Sequence, residues 1–355
     1  MNPILDKFEQ DFASLKAGKK SSYDFFNSLW EPLSIIKGGA KDFLGRVQVW
    51  SETEGASDPA NLGLATFSRA LVAMHEDWIE DGLRLSSEAH RIFEGIHDED
   101  GVSLSGLLIG AFYRTLGNID IALRYIVSSW DYMKKNGKYP FFCCACSYQL
   151  SELYMDTKAY DRAIQTYDDC IRLADRYGYL SFQGLALSGK AQAYHALGQS
   201  DLARESFLKA LPILTDTSFR NPYTRLASDY GTFLMDEGDL DQAIEYHTLA
   251  MKLRSENRMQ LGSITNMIQL GKIFLLQGKK AEALAMWQQG LDRAISLNAK
   301  PKIGQLHLLL SEFYESNNEI EKSLAHYRSF HQVNEEVNRE DGEKKVKRAE
   351  MRPTY

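Results

Sequence analysis

The sequence is poor in the residues that mark secreted, disulfide-stabilised proteins. Four of its 355 residues are cysteines, and three of them crowd together as Cys143, Cys144 and Cys146. A disulfide framework needs cysteines spread along the chain, so we expect a reducing, cytoplasmic environment. Proline is also scarce, with eight residues, which favours helices over a loop-rich β architecture because proline disrupts helix interiors.

Long apolar runs and an excess of positive charge are missing as well. No run approaches the roughly 18–20 apolar residues that cross a bilayer. The first residues, Met1 to Lys7, lack the basic and apolar regions of a signal peptide. The formal net charge is −7, whereas nucleic-acid binders usually carry a basic face. We therefore expect neither a membrane nor a nucleic-acid partner.

Motifs for catalysis or cofactor binding are also absent. Gly38-Gly39 lacks the spacing of a phosphate loop, and neither a G-x-G-x-x-G nor a G-x-S-x-G motif occurs. Cys143 and Cys146 have C-x-x-C spacing, but a structural zinc site needs four ligands and no second pair is near in sequence. Core packing and metal or redox sensing are both open for these cysteines, and their helical setting favours packing. We predict a non-enzymatic protein without cofactor or metal.

What the sequence does contain is a repeat of 40 or 41 residues that begins near residue 62. Each repeat has a small residue in its first predicted helix: Ala70, Gly110, Ser151, Ala191, Gly231, Gly271 and Ser311. We call these residues the first anchors. Twelve residues later a second anchor follows: Gly82, Ala122, Ala163, Ala203, Ala243, Ala283 and Ser323. Small residues at both places allow two helices to approach closely.

The turn between the two helices and the packing residue beyond it repeat in the same way. Seven residues after the first anchor stand Asp77, Gly117, Lys158, Gly198, Gly238, Gly278 and Asn318. Gly and Asn best tolerate a left-handed backbone at a helix end. Four residues after the second anchor, mostly large residues form what we call the packing column: Ser86, Ile126, Tyr167, Phe207, His247, Trp287 and Tyr327. Because one hairpin cannot bury its apolar face, the hairpins are expected to stack.

The two ends of the chain differ from the repeats. In residues 1–60, helical spacing predicts short helices around Leu5–Leu15, after a cap at Ser22, and around Leu44–Trp50, with a loop from Ser51 to Asn61. At the other end, residues 339–355 form a charged tail. A solvated, frayed helix and a connector to a partner are both open for the tail.

The pattern resembles the tetratricopeptide repeat (TPR), on residues such as Leu150-Ser151, Tyr154, Ala163, Tyr167 and the Gly271–Trp287 hairpin. The resemblance covers about residues 62–338, and the period departs from the usual 34 residues of the family. It implies an all-α, right-handed α-solenoid of about seven hairpins over residues 61–338, with an N-terminal helical cap. The end of the array also resembles the TPR input modules of bacterial signalling proteins.

Family resemblance further implies that ligands bind in a concave groove lined by the first helices. By register, the groove-facing positions include Arg114, Tyr148, Glu152, Gln192, His195, Arg225, Thr232, Lys272 and Glu312. Among these, Arg225 and Lys272 are candidates to hold a carboxylate of a peptide. Lys272 matches no repeat consensus and is the strongest single candidate.

Three functions are then open. The favoured one is a regulatory scaffold that binds a peptide or a protein segment in the groove. The alternative is a peptide-responsive regulator similar to the quorum-sensing TPR receptors of Gram-positive bacteria, whose superhelix changes shape on ligand binding. An enzyme is the third, and it finds no support in the motifs. In addition, the charged tail and the exposed ends of the array are candidate surfaces for a homodimer.

Overall fold

The structure, a computed structural model, describes residues 3–33, 40–75, 78–215, 220–256 and 260–350. All regular structure in these ranges is α-helical. The helices are α1 (Pro3–Lys16), α2 (Ser22–Leu33), α3 (Ala40–Glu52), α4 (Pro59–His75), α5 (Ile79–Gly95), α6 (Glu99–Thr115), α7 (Ile119–Asn136), α8 (Pro140–Asp156), α9 (Tyr160–Tyr177), α10 (Leu180–Ala196), α11 (Ser200–Leu214), α12 (Arg220–Asp236), α13 (Leu240–Glu256), α14 (Gln260–Leu276), α15 (Lys280–Ser296), α16 (Lys300–Ser316) and α17 (Ile320–Glu350). The predicted all-α repeat fold is confirmed.

The chain divides into two compact units, Met1–Phe219 and Arg220–Tyr355. Unit 1 contains α1 to α11 and unit 2 contains α12 to α17. Within each unit, a first helix packs against the second helix of its own hairpin, and that second helix packs against the next first helix. The predicted domain boundaries at residues 60 and 338 were drawn from the repeat pattern. The division into two units does not test them, and they stay a prediction.

The anchors lie where two helices meet, as the repeat pattern predicts. Ala163 and Ala283 are fully buried. Gly271 shows why the first anchor must be small, because a Cβ atom there would lie 2.2 Å from Nε1 of Trp287. A larger residue at this position would push α14 away from α15.

The turns inside the hairpins have the predicted left-handed backbone. Four of them use glycine, with φ between 71° and 84°: Gly117, Gly198, Gly238 and Gly278. Lys158 and Asn318 have φ values of 58° and 60° although they carry side chains. Asp77, the corresponding residue of the first repeat, lies outside the described residues. The same conformation at successive turns gives the hairpins a common geometry.

Helices α1 to α3 are part of the core of unit 1. Trp30 packs edge-on against Phe142, with ring centroids 4.8 Å apart, and its indole donates a hydrogen bond to Ser68 Oγ at 3.1 Å. The Tyr23 hydroxyl donates to the Asp98 carboxylate that caps α6. The three predicted helices are confirmed, but the cap of α2 is Ser21 rather than Ser22, because Ser21 Oγ accepts the Asp24 amide at 3.1 Å. The predicted loop is shorter, spanning residues 53–58.

Candidate functional site

The first helices carry a ridge of side chains at fixed positions relative to the first anchor. The positions two residues before, one after and five after the anchor share one face of the helix, because they are three and four residues apart. In α8 these positions hold Gln149, Glu152 and Asp156. The neighbouring first helices pack beside each other within a unit, so adjacent ridges face the same side.

In unit 1 the ridges of α6 and α8 are joined by Arg114. Its Nε donates to Gln149 Oε1 at 3.2 Å and its Nη1 to Asp156 Oδ2 at 3.1 Å, while Glu152 Oε2 lies 3.8 Å from Nη1. The opposite oxygen of Glu152 accepts a hydrogen bond from the Tyr167 hydroxyl at 2.6 Å. We call Arg114, Gln149, Glu152, Asp156 and Tyr167 the arginine network. One guanidinium thus contacts two carboxylates and an amide, and these contacts connect α6, α8 and α9 to one another.

Two of the predicted groove residues of unit 1 are buried. Tyr148 is 7% exposed and packs against Tyr167 and Phe182, with centroids 6.2 and 6.3 Å away. The ring is thus enclosed by residues of α9 and α10, and its predicted contact with a ligand in the groove stays a prediction. Glu152 is 5% exposed, so its carboxylate is enclosed by the arginine network. Gln192 and His195, on α10, are half-buried and both have polar or ring interactions.

Unit 2 has the same ridge without the arginine. Gln269 and Lys272 of α14 stand in the register of Gln149 and Glu152 of α8. On the preceding first helix, Met235 takes the place that Arg114 takes in unit 1. Methionine has no hydrogen to donate. Accordingly, Gln269 Oε1 is buried and has no hydrogen-bond partner among the described residues.

Lys272 lies one helical turn from Gln269 on the same ridge and is half-buried. Within the described ranges its ammonium group forms neither an ion pair nor a hydrogen bond. Together the two residues present an acceptor and a cationic donor, three residues apart, to the same side of α14. Neither group is neutralised by the protein around it.

The other predicted groove residues of unit 2 are Arg225, Thr232 and Glu312, and they lie at different positions along their helices. Arg225 Nε lies 3.6 Å from the Asp229 carboxylate of its own helix. Arg225 stands six residues before its anchor and Lys272 one after, which separates them by about 10 Å along the helix direction. Binding of one ligand carboxylate by both residues stays a prediction, and it would require both side chains to extend towards each other along the helices. Thr232 donates to the Ser228 carbonyl at 3.1 Å, and Glu312 is exposed.

Below the ridge of unit 2, Asn266 connects three helices. Its amide donates to the His247 carbonyl at 3.0 Å, and its side-chain oxygen accepts from Ser228 Oγ at 3.3 Å and from the Arg254 guanidinium. The His247 ring itself is 1% exposed, and neither ring nitrogen has a hydrogen-bond partner within the described part of the chain. Burial, together with the nearby Arg254 charge, lowers the pKa of His247 to about 4. The imidazole is neutral at physiological pH.

Sequence reasoning missed Gln149, Asp156, Gln269 and Asn266. The first three lie one turn from predicted residues, so extending the ridge by three or four positions would have found them. Asn266 stands in a register that elsewhere holds Cys146, Ala186, Leu226 and Leu306. A single amide in a column of small and apolar residues is the signal that identifies it.

The four cysteines are buried thiols. Desolvation raises the pKa of Cys143 to about 11 and that of Cys170 to about 12. Such thiols are poor nucleophiles because the reactive form is the thiolate. In the described ranges, no group of three or more His, Cys, Asp or Glu side chains is arranged to hold a metal ion. The structure thus favours the packing interpretation of Cys143 and Cys146.

None of the described helices combines the length and the apolar character required to cross a bilayer.

Comparison with known proteins supports the repeat assignment. Models of the tetratricopeptide repeat match residues 223–296 and residues 146–177 and 186–212. A search of curated protein sequences gave no match.

Several solved structures have a similar fold. A Rap protein in complex with competence and sporulation factor has a TM-score of 0.65 at 12% identity, over 95% of this chain and 98% of that one. The apo form of the quorum sensor NprR from B. thuringiensis gives 0.64 at 15% identity, over 93% and 94%. Aspartyl phosphate phosphatase F from Bacillus subtilis gives 0.59 at 12% identity, over 94% of both chains. At these identities the likeness concerns the fold, and with the matched models it shows that this chain contains tetratricopeptide repeats.

Proposed function

We propose that this protein is a regulatory scaffold that binds a peptide, or an extended segment of a protein, on the first-helix ridge of unit 2. The observation that carries the proposal is the pairing of Gln269 with Lys272. Among the described residues, Gln269 offers a buried acceptor without a donor, and Lys272 a cation without an anion. A buried acceptor without a partner costs free energy, which a ligand N–H group would recover.

The chemistry of a peptide fits both groups. A backbone or side-chain N–H donates to Gln269 Oε1, and a carboxylate, from the C-terminus or from an acidic side chain, pairs with Lys272. The arginine network of unit 1 shows how such groups are satisfied when the protein supplies the partner itself. There Arg114 fills the place that we assign to the ligand in unit 2.

Binding to a library of fluorescent peptides of five to eight residues with free C-termini, measured by polarisation, tests the proposal. We expect Lys272→Glu to weaken binding of the same peptides by about 10-fold or more, because a hydrogen bond to a charged group contributes roughly 1.5–3 kcal/mol. Gln269→Leu should weaken it by about 2-fold to 10-fold, because a hydrogen bond between neutral groups contributes roughly 0.5–1.5 kcal/mol. Lys279→Glu, at the exposed turn after α14, is the matched control and should leave binding unchanged.

Two results would contradict the proposal. One is the absence of any peptide that binds the wild-type protein. The other is equal affinity of the Lys272→Glu and Lys279→Glu proteins for a peptide that does bind.

A second candidate function is a peptide-responsive regulator whose repeats change shape on binding. It is supported by two of the similar structures, since one is a complex with competence and sporulation factor and another is that of a quorum sensor. Small-angle scattering with and without a bound library peptide distinguishes the two functions. A decrease in the radius of gyration favours the regulator, and an unchanged radius favours a static scaffold.

Absence of enzymatic activity is part of the proposal and stays a prediction, since one similar structure is that of a phosphatase. The buried, high-pKa thiols are poor nucleophiles, and the carboxylates of the arginine network are already engaged by Arg114 and Tyr167. An assay for hydrolysis of acetyl phosphate and of a phosphorylated aspartate on a partner protein tests this point. Turnover above the uncatalysed rate would contradict it.

A further inference from the structure

The last hairpin leaves uncovered a face that is an interface in the earlier ones. In the packing column, Ile126, Tyr167, His247 and Trp287 are at most 2% exposed. Each of them lies on a second helix that packs against the following first helix. Tyr327, the corresponding residue of α17, is 46% exposed. The column position is thus buried in four hairpins and open in the last.

The chain does not fold back over this face within the described residues. Helices α13 and α15 end at Glu256 and Ser296, where the chain turns into the next hairpin. Helix α17 continues past the corresponding position, 336, and runs on to Glu350. A following first helix therefore does not begin where the repeat would place it.

The open face is an apolar stripe on one side of α17. Ile320, Leu324 and Tyr327 are 60%, 46% and 46% exposed. Exposed His331 extends the stripe, with its ring centroid 4.5 Å from that of Tyr327. The spacing of four, three and four residues is that of a helix seam which packs against another helix.

Two opposite charges flank the stripe on the same side. Glu321 follows Ile320, and Arg328 follows Tyr327, seven residues later. Both side chains are exposed, and within the described ranges neither forms an ion pair. The neighbouring Lys322, by contrast, is paired with Glu319 at 2.6 Å.

This arrangement is self-complementary for two antiparallel copies of α17. If a twofold axis passes between Glu321 and Arg328, near Leu324, then Arg328 of each copy lies opposite Glu321 of the other. The two apolar stripes then face each other, with Leu324 and Tyr327 at the centre. Such a patch, which contacts its own symmetry mate, is what a twofold dimer requires.

We propose that α17 is a homodimer interface, in which the stripe of Ile320, Leu324, Tyr327 and His331 packs antiparallel against the same stripe of a second copy. A second copy is the partner that these residues specify, because under an antiparallel twofold axis each flanking charge meets its opposite. In a parallel pair the two edges that carry Glu321 and Arg328 would lie on opposite sides of the seam, and these charges would not pair. The stripe spans about 16 Å of helix, which is short for an obligate dimer, so the dimer should be reversible.

Charge reversal tests both the interface and its direction by sedimentation velocity of the full chain at about 50 µM, near the range of reversible association. The wild-type protein should sediment as a dimer. Glu321→Arg and Arg328→Glu should each weaken self-association by about 10-fold or more, since each places like charges opposite one another twice. An equimolar mixture of these two variants should recover the dimer, because every facing pair in the heterodimer is then of opposite charge.

The control is Lys322→Glu, which changes the charge of α17 as Arg328→Glu does but lies away from the flanking pair, and it should leave the dimer intact. All three substituted positions are exposed on the helix surface, and helical content measured by circular dichroism verifies the fold. A monomeric wild-type protein would overturn the proposal. Failure of the mixture to recover the dimer, or loss of the dimer in the control, would overturn the antiparallel pairing.

Discussion

Tyr167 in unit 1 and His247 in unit 2 occupy equivalent positions of the packing column. The polar group of Tyr167 is hydrogen-bonded, whereas the ring nitrogens of His247 have no hydrogen-bond partner among the described residues. The Tyr167 hydroxyl donates to the buried Glu152 carboxylate, which Arg114 also approaches. In unit 2, Thr232 stands in the register of Glu152, and its short side chain bonds its own helix instead. The His247 ring is therefore buried without a polar partner among the described residues.

This difference shows that the repeat constrains the size of a packing residue more strictly than its chemistry. A large, flat side chain fills the column in both units. Whether its polar atoms are satisfied depends on one residue of the facing first helix. The following predictions test that dependence.

The largest effect is expected where a buried charge loses its partner. Tyr167→Phe leaves the Glu152 carboxylate without its closest donor, so we expect a loss of roughly 3 kcal/mol in the free energy of unfolding. Urea unfolding, followed by hydrogen exchange in α8 and α9, measures it. Tyr177→Phe, at a position 43% exposed, is the control and should change stability by less than about 0.5 kcal/mol.

An effect of similar size should depend on pH. The pKa of His247 is about 4 in the folded protein and about 6.5 in an unfolded chain. The unfolded state therefore binds the proton first as pH falls. Stability from this residue is complete above pH 6.5, decreases between about 6.5 and 4, and falls by roughly 3 kcal/mol in total. The measurement is the difference in free energy of unfolding between the wild-type protein and His247→Phe across this range. A difference that does not vary with pH would contradict the prediction.

At neutral pH, His247→Phe should stabilise the protein by about 1 kcal/mol. It removes two buried nitrogens that lack partners and keeps a flat ring of similar size. Phe207 fills the same column position with no exposed surface, so the hairpin geometry accepts phenylalanine. A destabilised variant would mean that the imidazole has a partner, such as a buried water, that the protein atoms do not supply.

The smallest effect on stability is expected from Thr232→Glu, which should instead change the pKa of His247. It places a carboxylate in the register that Glu152 has beside Tyr167. A nearby negative charge favours the imidazolium form, so the pKa of His247 should rise by about one unit or more. Titration of the ring signals by NMR checks this, with Thr232→Gln as the uncharged control. An unchanged pKa would show that the two units differ in the geometry of this register.

Much of the fold could be predicted from the sequence because the repeat constrains backbone geometry directly. Small anchors at Ala163 and Gly271 and left-handed turns at Gly117 and Gly278 depend on local sterics, which the residue type specifies. Residues 1–60 were predicted as three helices for the same reason. That these helices share the core of unit 1, through Trp30 and Phe142, depends on contacts between distant segments, which periodicity does not encode.

The ridge was less predictable because it depends on pairs of residues from different helices. Arg114 and Glu152 were both predicted, but their contact and its closure by Tyr167 require three helices in place. Tyr148 was placed in the groove by its register on the first helix, whereas its burial depends on Tyr167 and Phe182 of two other helices. The role of Gln269 becomes visible only by comparison with Gln149. Met235 stands where Arg114 stands in unit 1, so Gln269 Oε1 has no hydrogen-bond partner among the described residues.

The seven first helices from α4 to α16 all have 17 residues. At 1.5 Å per residue each is about 25 Å long, and a common length makes the hairpins interchangeable modules. Residues 260–299 form one such module, in which α15 is followed by a three-residue junction before α16 begins. Duplicating this segment before Lys300 would give a longer array with two copies of the Gln269–Lys272 pair, and so a receptor whose valency can be set by the number of modules.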